Sequence, residues 1–177
     1  DTSALHSAFY AKMGWPSLHA PMPATVLWGQ NGQRQDIDQL LALLKDPQAK
    51  TWQGGITVRP VSLVAQKKVS LCGKLFGGCL SVLTNLIGTP YFPASLSGHI
   101  LFFEDTGENP GRLLRFFNQW VQSGALTGVE AIVIGHLRGL GEKIEDSASF
   151  VYERFAQHSP IPIFASADFG HTSPNFP

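Results

Sequence analysis

This 177-residue sequence has little charge, few cysteines and no long apolar run, and each shortage excludes a class of protein. Charged residues make up only 15%, and 13 basic residues balance 13 acidic ones. Binding to nucleic acid or to an anionic membrane therefore has no electrostatic basis here. No segment reaches the ~20 apolar residues of a membrane span. Hydrophobic residues make up 44%, which indicates a folded globular chain.

The two cysteines, Cys72 and Cys79, form no C-x-x-C pair and have no nearby histidine. We expect both to be small buried residues with free thiols, as in a reducing compartment. A metal site is one interpretation of His99 with the acids Glu104, Asp105 and Glu108, but their spacing matches no EF-hand or H-E-x-x-H pattern. The sequence therefore predicts neither a metal nor another cofactor.

Strand and helix patterns alternate from Gly88 onward, which predicts an α/β fold with a largely parallel sheet. The strands are expected at 100–103, 131–134 and 161–165, and the helices at 112–122 and 147–157. The apolar residues that share one face of each helix are expected to pack in the core: Leu113, Phe116, Phe117, Trp120 and Val121 on the first, and Phe150, Val151 and Phe155 on the second. Earlier segments are less regular. We expect helices over 4–12, after an N-cap at Asp36 and over 80–86, a weak strand over 17–20, polar turns at 30–33 and 52–55, and an edge strand or bulge around Pro60. Residues 73–78 are glycine-rich, and the pair Gly77–Gly78 is expected to form a turn, with a ligand cradle as the alternative.

One acid follows the apolar run Ile100–Phe103 directly. Asn109 and Pro110 then mark the start of a helix, as N-cap and first helical residue. Glu104 should accordingly lie at the carboxyl end of a strand, where open α/β sheets place their chemistry. Asp105 and Glu108 are rival acids that the residues alone do not separate from Glu104.

A second unusual segment, Phe169–Asn175, places His171 after a glycine and among turn residues. It follows the last apolar strand, so its loop should reach the same edge of the sheet as Glu104. An acid and a histidine on two such loops suggest two members of a catalytic triad. Without the resemblance described next, a lone histidine in a loop is more often structural or exposed than catalytic.

The segments 1–6, 77–81, 88–91, 98–110 and 169–175 together resemble the LD-carboxypeptidases, serine peptidases related to the microcin C self-immunity peptidase. The resemblance implies two domains. Residues 1–50 would be the remnant of an N-terminal nucleophile domain with its linker, and residues 51–177 a C-terminal βαβ-type domain carrying the acid and the histidine. The nucleophilic serine would directly precede Asp1, so we expect the sequence to be a fragment that is inactive alone.

By the same resemblance, Glu104 orients His171, His171 is the general base, and the backbone N–H of Asp1 donates to the oxyanion. The implied activity is release of terminal D-Ala from murein tetrapeptide in cytoplasmic peptidoglycan recycling. The implied partners are that peptide, the N-terminal domain and a second copy in a homodimer. An immunity peptidase acting on a microcin C-type peptide-nucleotide, or a non-catalytic binding module, are the alternatives. Ser3 is expected to face solvent or cap the first helix, and Ser81 to begin a helix. The lone histidines His6, His19 and His136 are expected to be structural, with pocket lining as the alternative for His19 and Tyr91.

Residues Leu5, Ala8 and Phe9 share one side of the first predicted helix. The resemblance implies that this side packs on a sheet of the nucleophile domain. We therefore expect it to be bare apolar surface in this chain, which marks an interaction site or an aggregation liability.

Overall fold

The computed structural model describes residues 1–23, 25, 28, 34–46, 55–68, 70–140, 147–157 and 159–177. The predicted turns at 30–33 and 52–54 and the domain boundary after residue 50 lie outside these residues. The elements in chain order are α1 Thr2–Met13, α2 Arg34–Lys45, β1 Arg59–Pro60, α3 Leu63–Gln66, β2 Lys74–Cys79, α4 Leu80–Thr84, β3 His99–Thr106, α5 Pro110–Gln122, β4 Ala131–Arg138, α6 Ala148–Ala156 and β5 Ile163–Ala165.

The strands form one sheet in the order β1-β5-β4-β3-β2. Strands β2 to β5 are parallel, and only the short edge strand β1 is antiparallel to its neighbour. This confirms the α/β prediction. Each parallel strand follows its neighbour in the same direction, so right-handed crossovers bring α4, α5 and α6 to one face of the sheet. None of the helices in the described part of the chain is long and apolar enough to cross a membrane.

The apolar core lies between the sheet and α5. Asn109 caps this helix through its side chain, and Pro110 stands at its first turn, as predicted. Leu113, Phe117 and Trp120 are fully buried, and the Trp120 ring lies 4.7 Å from that of Phe103 in β3. Val121 and Phe150, which we expected on buried helix faces, are instead 55% and 39% exposed.

Helix α1 turns its polar side to the rest of the described chain. Ser3 and Ser7 are buried, and the Ser7 hydroxyl donates to the Tyr91 carbonyl at 2.8 Å. Leu5 and Phe9 are 55% and 43% exposed, as expected for a bare apolar surface, whereas Ala8 is half-buried. The prediction that Ser3 faces solvent or caps the helix is wrong.

Three other local predictions are wrong. Residues 17–20 form no strand. The glycine-rich segment 73–78 is no turn, because Lys74–Cys79 forms β2 and pairs with β3 along its whole length. Cys72 is exposed and Cys79 is half-buried, although both are free as expected. For the glycine-rich segment, long-range strand pairing overrides the local composition.

Candidate active site

The acid of the predicted site lies inside β3 rather than after it, because the strand continues through Asp105 to Thr106. A bulge between Phe103 and Asp105 shifts the register against β4 at this point. Bulges commonly redirect a side chain next to a functional site. Glu104 is fully buried, and in the register with β2 it stands opposite Cys79 at the carboxyl edge of the sheet.

The expected contact between the two candidate residues is present, since the Nδ1 atom of His171 lies 2.5 Å from Oε2 of Glu104. Gly170 makes this approach possible. Its φ of +128° favours glycine, and a Cβ there would lie 3.0 Å from the Cβ of His136 and 3.4 Å from that of Glu104. The loop therefore passes close against β3 and β4 and brings His171 over the buried carboxylate, while the imidazole remains about half exposed.

Hydrogen bonds from distant parts of the chain fix the His171 loop. The Gly170 amide donates to Asn175 Oδ1, and the Asn175 amide donates to Asp36 Oδ2, both at 3.0 Å. Asp36 is buried in α2 and also accepts from the Ser173 hydroxyl. Sequence reasoning assigned Asp36 to a helix cap and missed this role. A guanidinium N–H of Arg138 donates to the His171 carbonyl oxygen at 2.9 Å.

The electrostatics of the pair favour an ionised carboxylate. Burial pushes the pKa of Glu104 upward, but the hydrogen bond from His171 and the nearby His19 imidazole outweigh it and hold this pKa below its usual value. The same hydrogen bond raises the pKa of His171 above its ordinary value, against the effect of partial burial. Because Nδ1 faces the carboxylate, Nε2 is left as the proton-accepting nitrogen of the neutral imidazole.

Glu104 is the acid that hydrogen-bonds His171, and the two rival acids have other partners. Asp105 accepts from the Ser81 amide at 2.7 Å and the Thr106 amide at 2.9 Å, which ties the end of β3 to the start of α4. Glu108 forms a surface ion pair with Arg112. No cluster in the described part of the chain brings together three side chains suited to hold a metal ion.

The first turn of α1 lies against this same edge of the sheet. The Cys79 amide donates to the Ser3 hydroxyl at 3.0 Å. Gly78, with a φ of +137°, leaves room for this contact, since a Cβ there would approach the Ser3 oxygen to 2.6 Å. Asp1 caps α1 through its side chain, which accepts from the Ser3 amide. The oxyanion role of the Asp1 backbone N–H stays a prediction.

A second histidine faces the candidate acid, and sequence reasoning offered it only as a possible pocket residue. The Nε2 atom of His19 lies 3.6 Å from Oε1 of Glu104. Its ring meets that of Phe102 edge-on at 5.4 Å. His19 also lines an apolar cavity of about 640 Å³ together with Phe102 and Phe169. The only sequence signal was a lone histidine in a weakly predicted strand, which is too common to identify a site.

Comparisons with known proteins agree on one family. The sequence pattern of the LD-carboxypeptidase C-terminal domain matches residues 72–177. The chain is 34% identical over 173 residues to a putative carboxypeptidase of Streptomyces coelicolor, covering 97% of this chain and 52% of that protein. The chain thus spans about half the length of the curated relatives it matches.

Solved structures give the same picture. A muramoyltetrapeptide carboxypeptidase from Oxalobacter formigenes superposes with a TM-score of 0.78 at 26% identity, over 99% of this chain and 59% of that one. A microcin C7 self-immunity protein superposes with a TM-score of 0.74 at 21% identity, again over 99% of this chain and 59% of its own. At that identity the second match shows a shared fold alone.

Proposed function

Because this chain belongs to the LD-carboxypeptidase family and includes its C-terminal domain, we propose that its full-length protein is a serine-type LD-carboxypeptidase. The substrate we propose is murein tetrapeptide, which loses its terminal D-Ala during peptidoglycan recycling in the cytoplasm. The observation that carries the proposal is the 2.5 Å contact between His171 Nδ1 and the buried Glu104 carboxylate. The solved relative named as a muramoyltetrapeptide carboxypeptidase supports the choice of peptide.

In this proposal Glu104 and His171 are the acid and base of a triad. A serine hydroxyl is a weak nucleophile unless a base takes its proton. Nε2 of His171 would take that proton as the serine oxygen attacks the carbonyl carbon preceding D-Ala. Glu104 stabilises the imidazolium that forms. The imidazolium then delivers the proton to the departing D-Ala nitrogen as the C–N bond breaks. In the second half of the reaction, water attacks the acyl-enzyme with His171 again as the base, and the serine is released.

The nucleophile in this mechanism is the serine that the family pattern places immediately before Asp1. Helix α1 supports that placement, because its first turn docks against β2 through the Ser3–Cys79 hydrogen bond. An elbow serine at the start of this helix would stand at the edge of the sheet that carries Glu104. The amide of the following residue, Asp1, would then donate to the oxyanion, as in other strand–turn–helix nucleophile sites.

The test uses the full-length protein and measures kcat/KM for D-Ala release from murein tetrapeptide. We expect His171→Ala to lose a factor on the order of 10⁴ or more. Glu104→Gln should lose nearly as much, and the double variant little more than His171→Ala alone, because triad members act as a unit. Glu108→Gln is the matched control, since its carboxylate pairs with surface Arg112 and not with the histidine.

Other outcomes would identify the alternatives. Retained activity in His171→Ala would refute the triad. Hydrolysis of an aminoacyl-sulfamoyl nucleotide in preference to murein tetrapeptide would favour an immunity-type peptidase. Tight peptide binding with no D-Ala release by the full-length protein would favour a binding module. Sedimentation of the same protein tests the homodimer that we also propose.

A further inference from the structure

The two oxygens of Glu104 have very different surroundings. Oε2 accepts the hydrogen bond from His171 at 2.5 Å. Oε1 is equally buried but has no hydrogen-bond partner among the described residues. An ionised carboxylate oxygen without a donor in the interior is costly and needs an explanation.

The imidazole of His19 is aimed at that second oxygen. Its Nε2 atom lies 3.6 Å from Oε1, and its side chain is only 19% exposed. Packing on the Phe102 ring limits how the imidazole can turn. The distance exceeds a hydrogen bond, but a shift of roughly half an ångström would form one. Catalytic hydrogen bonds are often long in an empty site and shorten when substrate binds.

We propose that His19 is a positioning residue that donates from Nε2 to Oε1, so that Glu104 is held between two imidazoles. This inference rests on the proposed function and extends its triad by one residue. A carboxylate held by a single donor can still rotate about its last carbon–carbon bond. A second donor fixes that rotation and therefore the orientation of His171, which Glu104 alone contacts.

The location of His19 gives this role a structural basis. It lies on the extended segment that follows α1, and α1 itself docks beside Glu104 through Ser3 and Cys79. Docking of α1 and orientation of the acid are thereby linked. Any movement of α1 that carries the nucleophile would also move His19 relative to Glu104.

Several charged or titratable groups surround this pair and have to enter any pH argument. Among the described residues, His6 of α1 faces His19, Cys79 of β2 and Asp105 of β3 flank Glu104, Arg138 of β4 lies beside His171, and Lys74 of β2 lines the same cavity as His19. Burial, with a smaller contribution from His19, lowers the pKa of His6. His6 is therefore neutral at neutral pH and does not compete as a cation for Glu104.

The experiment compares His19→Ala, His19→Gln and the control His6→Gln in the full-length protein. We expect kcat for D-Ala release to fall roughly 10- to 100-fold in His19→Ala, as for loss of a hydrogen bond to a charged group, with KM nearly unchanged. His19→Gln should recover most of kcat, because the Gln side-chain amide can donate from a similar position. His6→Gln, which lines the same cavity without facing Glu104, should match the parent.

A second readout separates positioning from simple packing. Without His19, no second donor offsets the negative charge of Glu104. That charge then stabilises protonated His171 more strongly, so the pKa of His171 should rise. The acid limb of the kcat/KM profile then moves to higher pH, and the NMR titration of the His171 imidazole in the substrate-free protein moves with it. A residue that only packs would lower activity equally at every pH.

The inference is overturned if His19→Ala keeps both the parent kcat and the parent acid limb. It is also overturned if the loss is uniform across pH and His19→Gln is no better than His19→Ala. Either result, with His171→Ala still inactive, leaves the proposed function standing. Activity that survives His171→Ala would instead refute the proposed function itself.

Discussion

Helices α1 and α5 attach to the same sheet by opposite means. Helix α5 buries Leu113, Phe117 and Trp120 and exposes its polar side. Helix α1 buries Ser3 and Ser7, is held by hydrogen bonds together with the packing of Tyr10 on Phe76, and exposes Leu5 and Phe9. The core helix is thus fixed by apolar burial, which tolerates small shifts. The helix beside the candidate site is fixed by directional bonds, which specify a position but contribute little stability each.

The His171 loop belongs with α1 in this comparison. Beyond the buried Phe169 ring at its start, which packs on Phe102, this loop too is held by hydrogen bonds that involve Asp36, Asn175 and Arg138. The carboxyl edge of the sheet therefore positions side chains, while the helix-covered face supplies stability. Substitutions on the two sides should separate these effects.

The largest effect on stability should come from Trp120→Ala in the full-length protein. Removing a fully buried aromatic side chain leaves a cavity and costs about 3–5 kcal/mol of the free energy of unfolding. Denaturant unfolding followed by circular dichroism measures this loss. D-Ala release per folded molecule should stay near the parent, because Trp120 lies on the core side. Val121→Ala, one residue along and 55% exposed, should change stability by less than about 0.5 kcal/mol.

Asp36→Ala should lower both the stability of the fold and the catalytic activity. Its Oδ2 accepts from the Asn175 amide and the Ser173 hydroxyl, so its loss leaves the buried Asn175 amide without its acceptor at about 1–3 kcal/mol. Displacement of the His171 loop should lower kcat/KM by as much as ~10²-fold. The control Asp38→Ala removes an exposed carboxylate of the same helix, paired only with Arg34, and should leave activity unchanged. A fully active Asp36→Ala would show that the loop does not need this anchor.

Ser3→Ala should have a smaller effect of about 1 kcal/mol, typical of one hydrogen bond. It leaves the Cys79 amide without its acceptor and loosens α1 from β2. Hydrogen exchange of the Cys79 amide should accelerate more than that of amides under α5. Thr2→Ala, in the same turn but exposed, is the control. Equal exchange in both variants would mean that the apolar side of α1, not this bond, holds the helix.

The smallest expected effect is the pH dependence of stability. The pKa of Glu104 is lowered on folding, so its contribution is present above its ordinary value and is lost as pH falls through the folded value. The pKa of His171 is raised, so its contribution is complete below about 6.5 and is lost as pH rises through the folded value. The thermal unfolding midpoint of the parent protein should therefore exceed that of Glu104→Gln by the largest margin at pH ~5–6. A difference that stays constant from pH 4 to 9 would contradict the pair.

Much of the βαβ half could be predicted from local patterns. The apolar run before Glu104, the Asn109–Pro110 helix start and the faces of α5 follow from burial periodicity and capping, which are properties of neighbouring residues. The strand ends could not be predicted in the same way. Strand β3 extends beyond the predicted 100–103 through two acids, because Asp105 pairs with β4. The pair Gly77 and Gly78 was assigned to a turn because strand pairing with β3 is a long-range effect.

The candidate site also contains residues that the sequence predicts and residues that it does not. Its acid and base could be predicted because each follows an apolar strand in a distinctive segment that resembles a known family. The roles of Asp36 and His19 could not, since a helix-start aspartate and a lone histidine carry no signal of their own. They matter only because the chain brings residue 36 to residue 175, and residue 19 to residue 104.

The sequence by itself determined the α/β class, most of the buried face of α5 and the two segments that carry the candidate acids and the histidine, because apolar periodicity, caps and motif residues are local. Only the tertiary structure decided which of three acids meets the histidine, that α1 docks by its polar side and that a second imidazole faces Glu104. Those outcomes depend on strand register, on the bulge after Phe103 and on glycines that let backbones approach closely. Such features arise from contacts between residues far apart in the chain, so no local pattern records them.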